Sequence, residues 1–249
     1  MLEKKYKSFL NIIIIIIIFA IIVVVINVFY EYVYLKRVIE SNASDILEAF
    51  DKYINDINNN TEKKDNKLII ELNNSEDNQN NDSNQNNNSN VLPQNVENRY
   101  TNPENYNNTQ KEGYPLTYGG YGVLGKIELP KVGLKYPVLE TLTDANAIDV
   151  SVAMQYGVGL NQIGNTVIMG HNYRNGSFFG SNKKLSEGDK VYITDNSGLR
   201  VEYTIYKKYL TPEADYSYAQ RDTSGKREIT LVTCHTDNRY RLIILAKES

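Results

Sequence analysis

The chain has 249 residues, a formal net charge of −3, twenty tyrosines, no tryptophan and a single cysteine. So small a charge gives no ground for nucleic acid as a partner, and one cysteine excludes an internal disulfide. The length allows one or two domains, but composition divides the chain into three unlike parts: a basic tail with an apolar run, an Asn-rich stretch, and a final half of ordinary globular make-up.

The first eight residues read as a cytoplasmic tail, and FLNIIIIIIIFAIIVVVINVFY (9–30) follows without a charge. At 1.5 Å per residue this run spans about 33 Å as a helix, enough for a hydrocarbon core of about 30 Å. β-Branched residues disfavour helix in water, but in lipid every backbone group must be bonded within the segment. Ser41 and Ala43 form only a weak small-x-small cleavage pattern, too far from the run for a signal peptide. Lys4, Lys5 and Lys7 precede the span, whereas Glu31, Lys36, Arg37 and Glu40 nearly cancel after it. The positive-inside rule therefore predicts a single-pass type II protein of the plasma membrane with its bulk outside.

Residues 31–118 are expected to form a stalk. In ILEAFDKYINDI (46–57), Ile46, Leu47, Phe50, Ile54 and Ile57 recur at helical spacing, with Ser44 as a candidate N-cap. Such a helix is expected to lie beside the membrane or to form a weak self-association seam. The Asn-rich NNSEDNQNNDSNQNNNSN (73–90) buries too little apolar surface to order itself. A disordered linker of about 60 residues, ending near Tyr118, would have a root-mean-square span of about 40 Å and act as a tether.

From Gly119 onward the signals are short strands and turns. Strands are expected over 125–132, broken by Pro130, and over 134–140, 165–171, 190–195, 199–210, 228–234 and 240–247. DANAIDVSVAMQ (144–155) reads as a helix capped by Asp144, and 178–185 as a short helical turn. Six or seven strands with little helix predict a mainly β, antiparallel-rich barrel with one core in residues 119–249.

Cys234 ends the apolar strand EITLVTC. A thiol is a few per cent ionised at neutral pH unless a cation or histidine stabilises the thiolate. Two histidines are available. His235 follows Cys234 directly and would point to the opposite face of a strand. His171 ends a separate apolar run after Gly170, at a loop mouth, and is the favoured partner. Acyl transfer also needs donors for an oxyanion, and a guanidinium supplies them without deprotonating. Arg239 and Arg241 share parity, but Arg241 belongs to the strand RLIILA while Arg239 sits nearer the loop tip.

TLVTC (230–234) resembles the TLxTC signature of sortases, Gram-positive cell-surface transpeptidases. RLIILA (241–246) is similar to the strand bearing their arginine. GNTVIMGHNYRNGSFFG (164–180) is similar to their histidine segment, most of all in class B and class D members. The resemblance covers about 119–249 and keeps the order His, Cys, Arg. It implies an eight-stranded β-barrel with a few short helices, in which Cys234 is the nucleophile, His171 the acid/base partner and Arg241 the oxyanion or substrate stabiliser. It implies cleavage of an LPxTG-like signal at threonine through a thioester. The implied partners are surface proteins with a C-terminal sorting signal, and an acceptor amine from a peptidoglycan precursor or a pilin lysine. No cofactor or metal is implied.

The short loop HTDNRY leaves the subclass open. With no second apolar run before Ser249 and no Asp-Pro-aromatic lid motif, pilin polymerisation is the less expected role. The competing readings are a cell-wall peptidase with its own Cys/His pair, whose Ser-His-Gly-Cys run is missing, and a non-enzymatic anchored binding module with an inert Cys234.

Overall fold

The computed structural model describes residues 2–74, 111–142 and 146–249. Helix α1 runs unbroken over Leu2–Asn74. The sequence reading divided this stretch into a span and a separate helix beginning at Ser44. No Gly or Pro lies between Tyr30 and Ile46 to stop the first helix, so Ser44 is interior and caps nothing. From Phe9 to Tyr30 the side chains are exposed all round, and the span is long and apolar enough to cross a membrane. The Asn27 amide donates to the Val23 carbonyl at 2.8 Å, which satisfies one polar group within the helix itself.

Nine strands follow: β1 Thr117–Tyr118, β2 Tyr121–Leu129, β3 Leu134–Leu139, β4 Val152–Tyr156, β5 Gly164–Met169, β6 Lys190–Asp195, β7 Arg200–Pro212, β8 Arg227–Cys234 and β9 Tyr240–Glu248. Their order is β1-β2-β3-β4-β5-β8-β9-β7-β6, and β2 also pairs with β6, so β2–β9 close an eight-stranded ring with β1 as a short appendix. The β3–β4 and β5–β8 pairs are parallel; the other pairs in the ring are antiparallel. Period-two alternation sorts the side chains. Ile229, Leu231, Leu242, Ile244 and Ala246 fill the barrel, while Val232, Ile243 and Leu245 face outward under Tyr218.

Two strands, β1 and β4, were not expected from the sequence. The segment read as a helix over 144–155 contains only α2, Ala147–Val150, and then β4. Val152, Ala153 and Met154 are buried and paired on both sides, and tertiary pairing overrides the helical reading. Asp144, expected to cap that helix, lies outside the described residues. Pro130 does end β2, in a 3-10 turn closed by Gly133 at φ 64°, and a second 3-10 turn occupies Asn182–Lys184.

The stalk also differs from expectation. Ala43, Ile46, Leu47 and Phe50 of α1 are buried. Ile46, Phe50 and the flanking Ile54 pack against Tyr118, Val123, Leu139 and Ala153 of the barrel. Asp51 pairs with Lys126 on β2 and with Lys135 on β3. The amphipathic stripe seen at 46–57 thus closes on this chain's own barrel. Burying Phe50, 1% exposed, contributes about 1.5–3 kcal/mol. Residues 111–118, placed in the linker by sequence, pack on the barrel as well: Lys111 pairs with Glu140, and a Cβ on Gly122 would fall 2.3 Å from the Tyr114 ring. The remaining Asn-rich linker assignment, 75–110, lies outside the described residues.

Candidate active site

Cys234 ends β8 and Arg241 lies near the start of β9, and the two are direct cross-strand partners. Residues so opposed share a face, with Cβ atoms about 4.5–5.5 Å apart. Their parity is that of Val232 and Ile243, so both point to the outer face of the ring. The register also separates the two arginines that parity left level. Arg241 is 15% exposed and paired with Glu213; Arg239 is 81% exposed and paired with Asp237 in the hairpin.

His171 follows the end of β5. The β5–β8 ladder pairs Met169 with Val232, an offset of 63, and the same offset carries His171 to Cys234. Three hydrogen bonds continue the stitching past the ladder. The Gly170 amide donates to the Val232 carbonyl at 3.1 Å, Thr233 Oγ1 to the Gly170 carbonyl at 2.7 Å, and Asn172 Nδ2 to the Cys234 carbonyl at 2.8 Å. Glycine is needed at 170 because a Cβ there would meet Val152 at 2.8 Å and the Phe179 ring at 3.0 Å.

The histidine does not stand free. Its Nε2 lies 2.6 Å from Asp149 Oδ1 on α2, and its ring stacks on Tyr173 at 5.1 Å. Burial, and then the Asp149 charge, push the Tyr173 phenol up. Tyr173 packs on Phe178, which packs on Tyr136 of β3. Phe178 is buried with φ 51°, a left-handed conformation that is costly for an aromatic residue and is held here by its neighbours.

The β7–β8 connection covers Val232, Ile243 and Leu245 through Tyr218 and reaches Arg241 through Glu213. Its anchor is Arg221, whose guanidinium donates to Tyr206 Oη at 2.8 Å, Glu228 Oε2 at 2.6 Å and Asn165 Oδ1 at 2.9 Å. Asn165 in turn donates to the carbonyls of Tyr218 and Ala219. The Tyr206 phenol is pushed up to about 12, by burial first and then by its hydrogen bond to Glu228. Burial likewise raises Tyr218. A cleft of about 660 Å³ opens between this connection and the β4–β5 turn, lined by Thr141, Tyr156, Ile163, Asn165 and Arg221. It begins at the level of Asn165, about 20 Å along the strands from His171.

Sequence reasoning did not find Asp149, Glu213 or Asn172. Asn172 directly follows His171 and was within reach of the motif. Asp149 was hidden because the helix drawn over 144–155 gave its side chain no address. His235 turns into the hairpin, where its Nδ1 accepts from the Asp237 amide at 3.2 Å. Among the described residues no cluster of His, Cys, Asp and Glu suits a metal ion.

Residues 127–249 match the family model described as a sortase domain. Sortase A of Bacillus anthracis is 32% identical over 126 residues, 49% of this chain and 58% of that protein. Sortase A of Listeria monocytogenes is 31% identical over 118 residues, 47% of this chain and 51% of that protein. The chain thus spans between half and three-fifths of the length of these curated relatives. Among solved structures, sortase A from Corynebacterium diphtheriae is 25% identical, with a TM-score of 0.47 over 52% of this chain and 61% of that one. Sortase D5 of Clostridium perfringens is 22% identical, with a TM-score of 0.47 over 53% of this chain and 81% of that one. Residues 127–249, which include Cys234 and Arg241, belong to the sortase family.

Proposed function

We propose that the protein is a membrane-anchored, type II cysteine transpeptidase that cleaves an LPxTG-like sorting signal at threonine and transfers the acyl group to an amine. What supports this reading is the cross-strand pairing of Cys234 with Arg241, with His171 just past the end of the neighbouring β5 in a segment bonded to β8 through Gly170 and Asn172. The substrates are surface proteins with a C-terminal sorting signal. The acceptor is an amino group of a peptidoglycan precursor or of a pilin lysine.

In this reading the Cys234 thiolate attacks the threonine carbonyl, and Arg241 donates to the oxyanion that forms. His171 then protonates the departing amine, which leaves a thioester on Cys234. The acceptor amine attacks that thioester, gives up a proton to His171, and releases the thiolate. Both helpers are engaged before substrate arrives. Arg241 is held by Glu213 and by the carbonyl of Asn238 at 3.0 Å, and His171 by Asp149. The oxyanion must therefore compete with Glu213 for the guanidinium. The three lysines before the span support an N-terminus in the cytoplasm.

The test uses the full chain in detergent micelles with a peptide containing Leu-Pro-x-Thr-Gly. Mass spectrometry should find the acyl adduct on Cys234, and an added amine should discharge it as a transpeptidation product. No adduct with any threonine-glycine peptide, with Cys234 reactive to small thiol reagents, would refute the assignment.

A further inference from the structure

The path of α1 fixes how the barrel meets the bilayer. The span ends near Tyr30, and Tyr30, Tyr32 and Tyr34 follow one another on the helix, exposed, with the Tyr30 and Tyr34 rings stacked at 5.9 Å. Lys36 and Arg37 come next. Tyrosines followed by basic residues mark the membrane–water interface, so residues 30–37, about 10 Å of helix, occupy the headgroup zone.

Within that zone Tyr32 Oη donates to the Arg174 carbonyl at 3.0 Å. Arg174 is three residues beyond His171, in the loop that carries it. Further along the helix, Asp51 bridges Lys126 and Lys135 on the barrel wall, and Ile54 lies against Gly198. Gly198 sits in the β6–β7 turn, where β7 begins; Pro212, where β7 ends, pairs with Tyr240 beside Arg241. The helix therefore descends the barrel from its catalytic end to its opposite end, and the membrane lies on the catalytic side. The catalytic end also carries exposed Tyr216 and Tyr240. Its arginines 239 and 241 are paired with Asp237 and Glu213, and Arg174 and Asp215 add one charge of each sign, so the rim carries tyrosines among largely balanced charges.

We propose that the end of the barrel bearing Cys234, His171 and Arg241 rests on the phospholipid headgroup layer, held there by the docked α1 and by its tyrosine rim, with the β6–β7 turn facing away from the membrane. The partner is the lipid surface itself. The inference rests on the membrane-span part of the proposed function and is independent of the acyl-transfer part. The whole of β7, about 40 Å of strand, separates the two ends, and with a barrel tilt near 40° that leaves about 30 Å of height.

The absence of tryptophan makes this measurable, since any introduced indole is the only one. Full-length Tyr240→Trp and Leu199→Trp chains are reconstituted in phosphatidylcholine vesicles containing a headgroup-spin-labelled lipid. Tyr240→Trp should lose most of its emission and Leu199→Trp should keep nearly all of it. Should Tyr240→Trp fold poorly, Tyr216→Trp reports the same rim. Adding Phe50→Asp, which undocks α1, should erase the contrast between the two sites. A chain that does not float with the vesicles overturns the membrane reading itself. A chain that floats with Leu199→Trp quenched as strongly as the rim position, or more, overturns the orientation.

Discussion

Cys234 and Arg241 stand on hydrogen-bonded strands, where ladder register sets their separation. His171, on the other wall, hangs from a segment that has already left the ladder. It is positioned by a stack of aromatic rings and by an aspartate on a four-residue helix. One wall is held by main-chain bonds that no single side chain controls. The other has only a few main-chain bonds, among them the Gly170 amide to the Val232 carbonyl and the Phe179 amide to the His171 carbonyl. It leans on side chains for the rest, so it should yield first when the protein is perturbed.

The largest effects test whether both walls serve one reaction. Cys234→Ala should abolish the peptide adduct in mass spectrometry. Arg241→Ala and His171→Ala should each lower kcat by about 10²–10³-fold, with His235→Ala near wild type. Arg241→Lys keeps the charge but loses the planar fork, and should recover little of the rate.

Next come variants that loosen one wall at a time. Phe178→Ala removes the ring between Tyr136 and Tyr173 and should cost about 3–5 kcal/mol in denaturant unfolding. It should also lower kcat through His171, while leaving the reactivity of Cys234 toward a thiol reagent close to normal. On the opposite wall, Arg221→Met removes the cation beside the largely buried Glu228, which keeps only the Tyr206 hydroxyl, and leaves Asn165 with Thr230 as donor to its oxygen, at about 3 kcal/mol. The β7–β8 connection should then exchange its amide hydrogens faster, and substrate KM should rise more than kcat falls. Equal effects of both variants on both readouts would dissolve the distinction between the walls.

The smallest effect is a pH dependence at the docked segment 111–118. Burial pushes the Glu140 carboxyl up, but hydrogen bonds from Lys111, the Gly122 amide and Tyr114 outweigh it and hold it below the usual carboxylate range. Its contribution to stability is therefore present above the unfolded value of about 4.3 and is lost as pH falls through the depressed folded value. Proteolysis of residues 111–118 should accelerate at acid pH, and Glu140→Gln should remove that acid sensitivity.

The strand-borne wall was the more legible one in sequence. EITLVTC and RLIILA are short apolar runs, the mark of strands covered on both faces, and the turn residues between them set the hairpin. Most strand boundaries fell within a few residues, because half-buried strands announce themselves with period two. What escaped was held by contacts distant in sequence. β4 looks helical in isolation and becomes a strand between two partners. Asp149 and Glu213 acquire roles only once α2 and the β7–β8 connection are folded over the ring. In α1 the apolar stripe was legible but its partner was not, because periodicity reports that a face must be covered and never by what.

Closure of the ring through the β2–β6 pairing leaves the barrel without a long free strand. A protein confined to a bilayer plane meets its own copies at far higher frequency than one free in three dimensions. An open sheet under that crowding would invite neighbouring molecules to add their strands to it. Here the main-chain donors and acceptors of β2 and β6 are spent on each other, so for a chain anchored as proposed above, lateral collisions would find side chains and not a template.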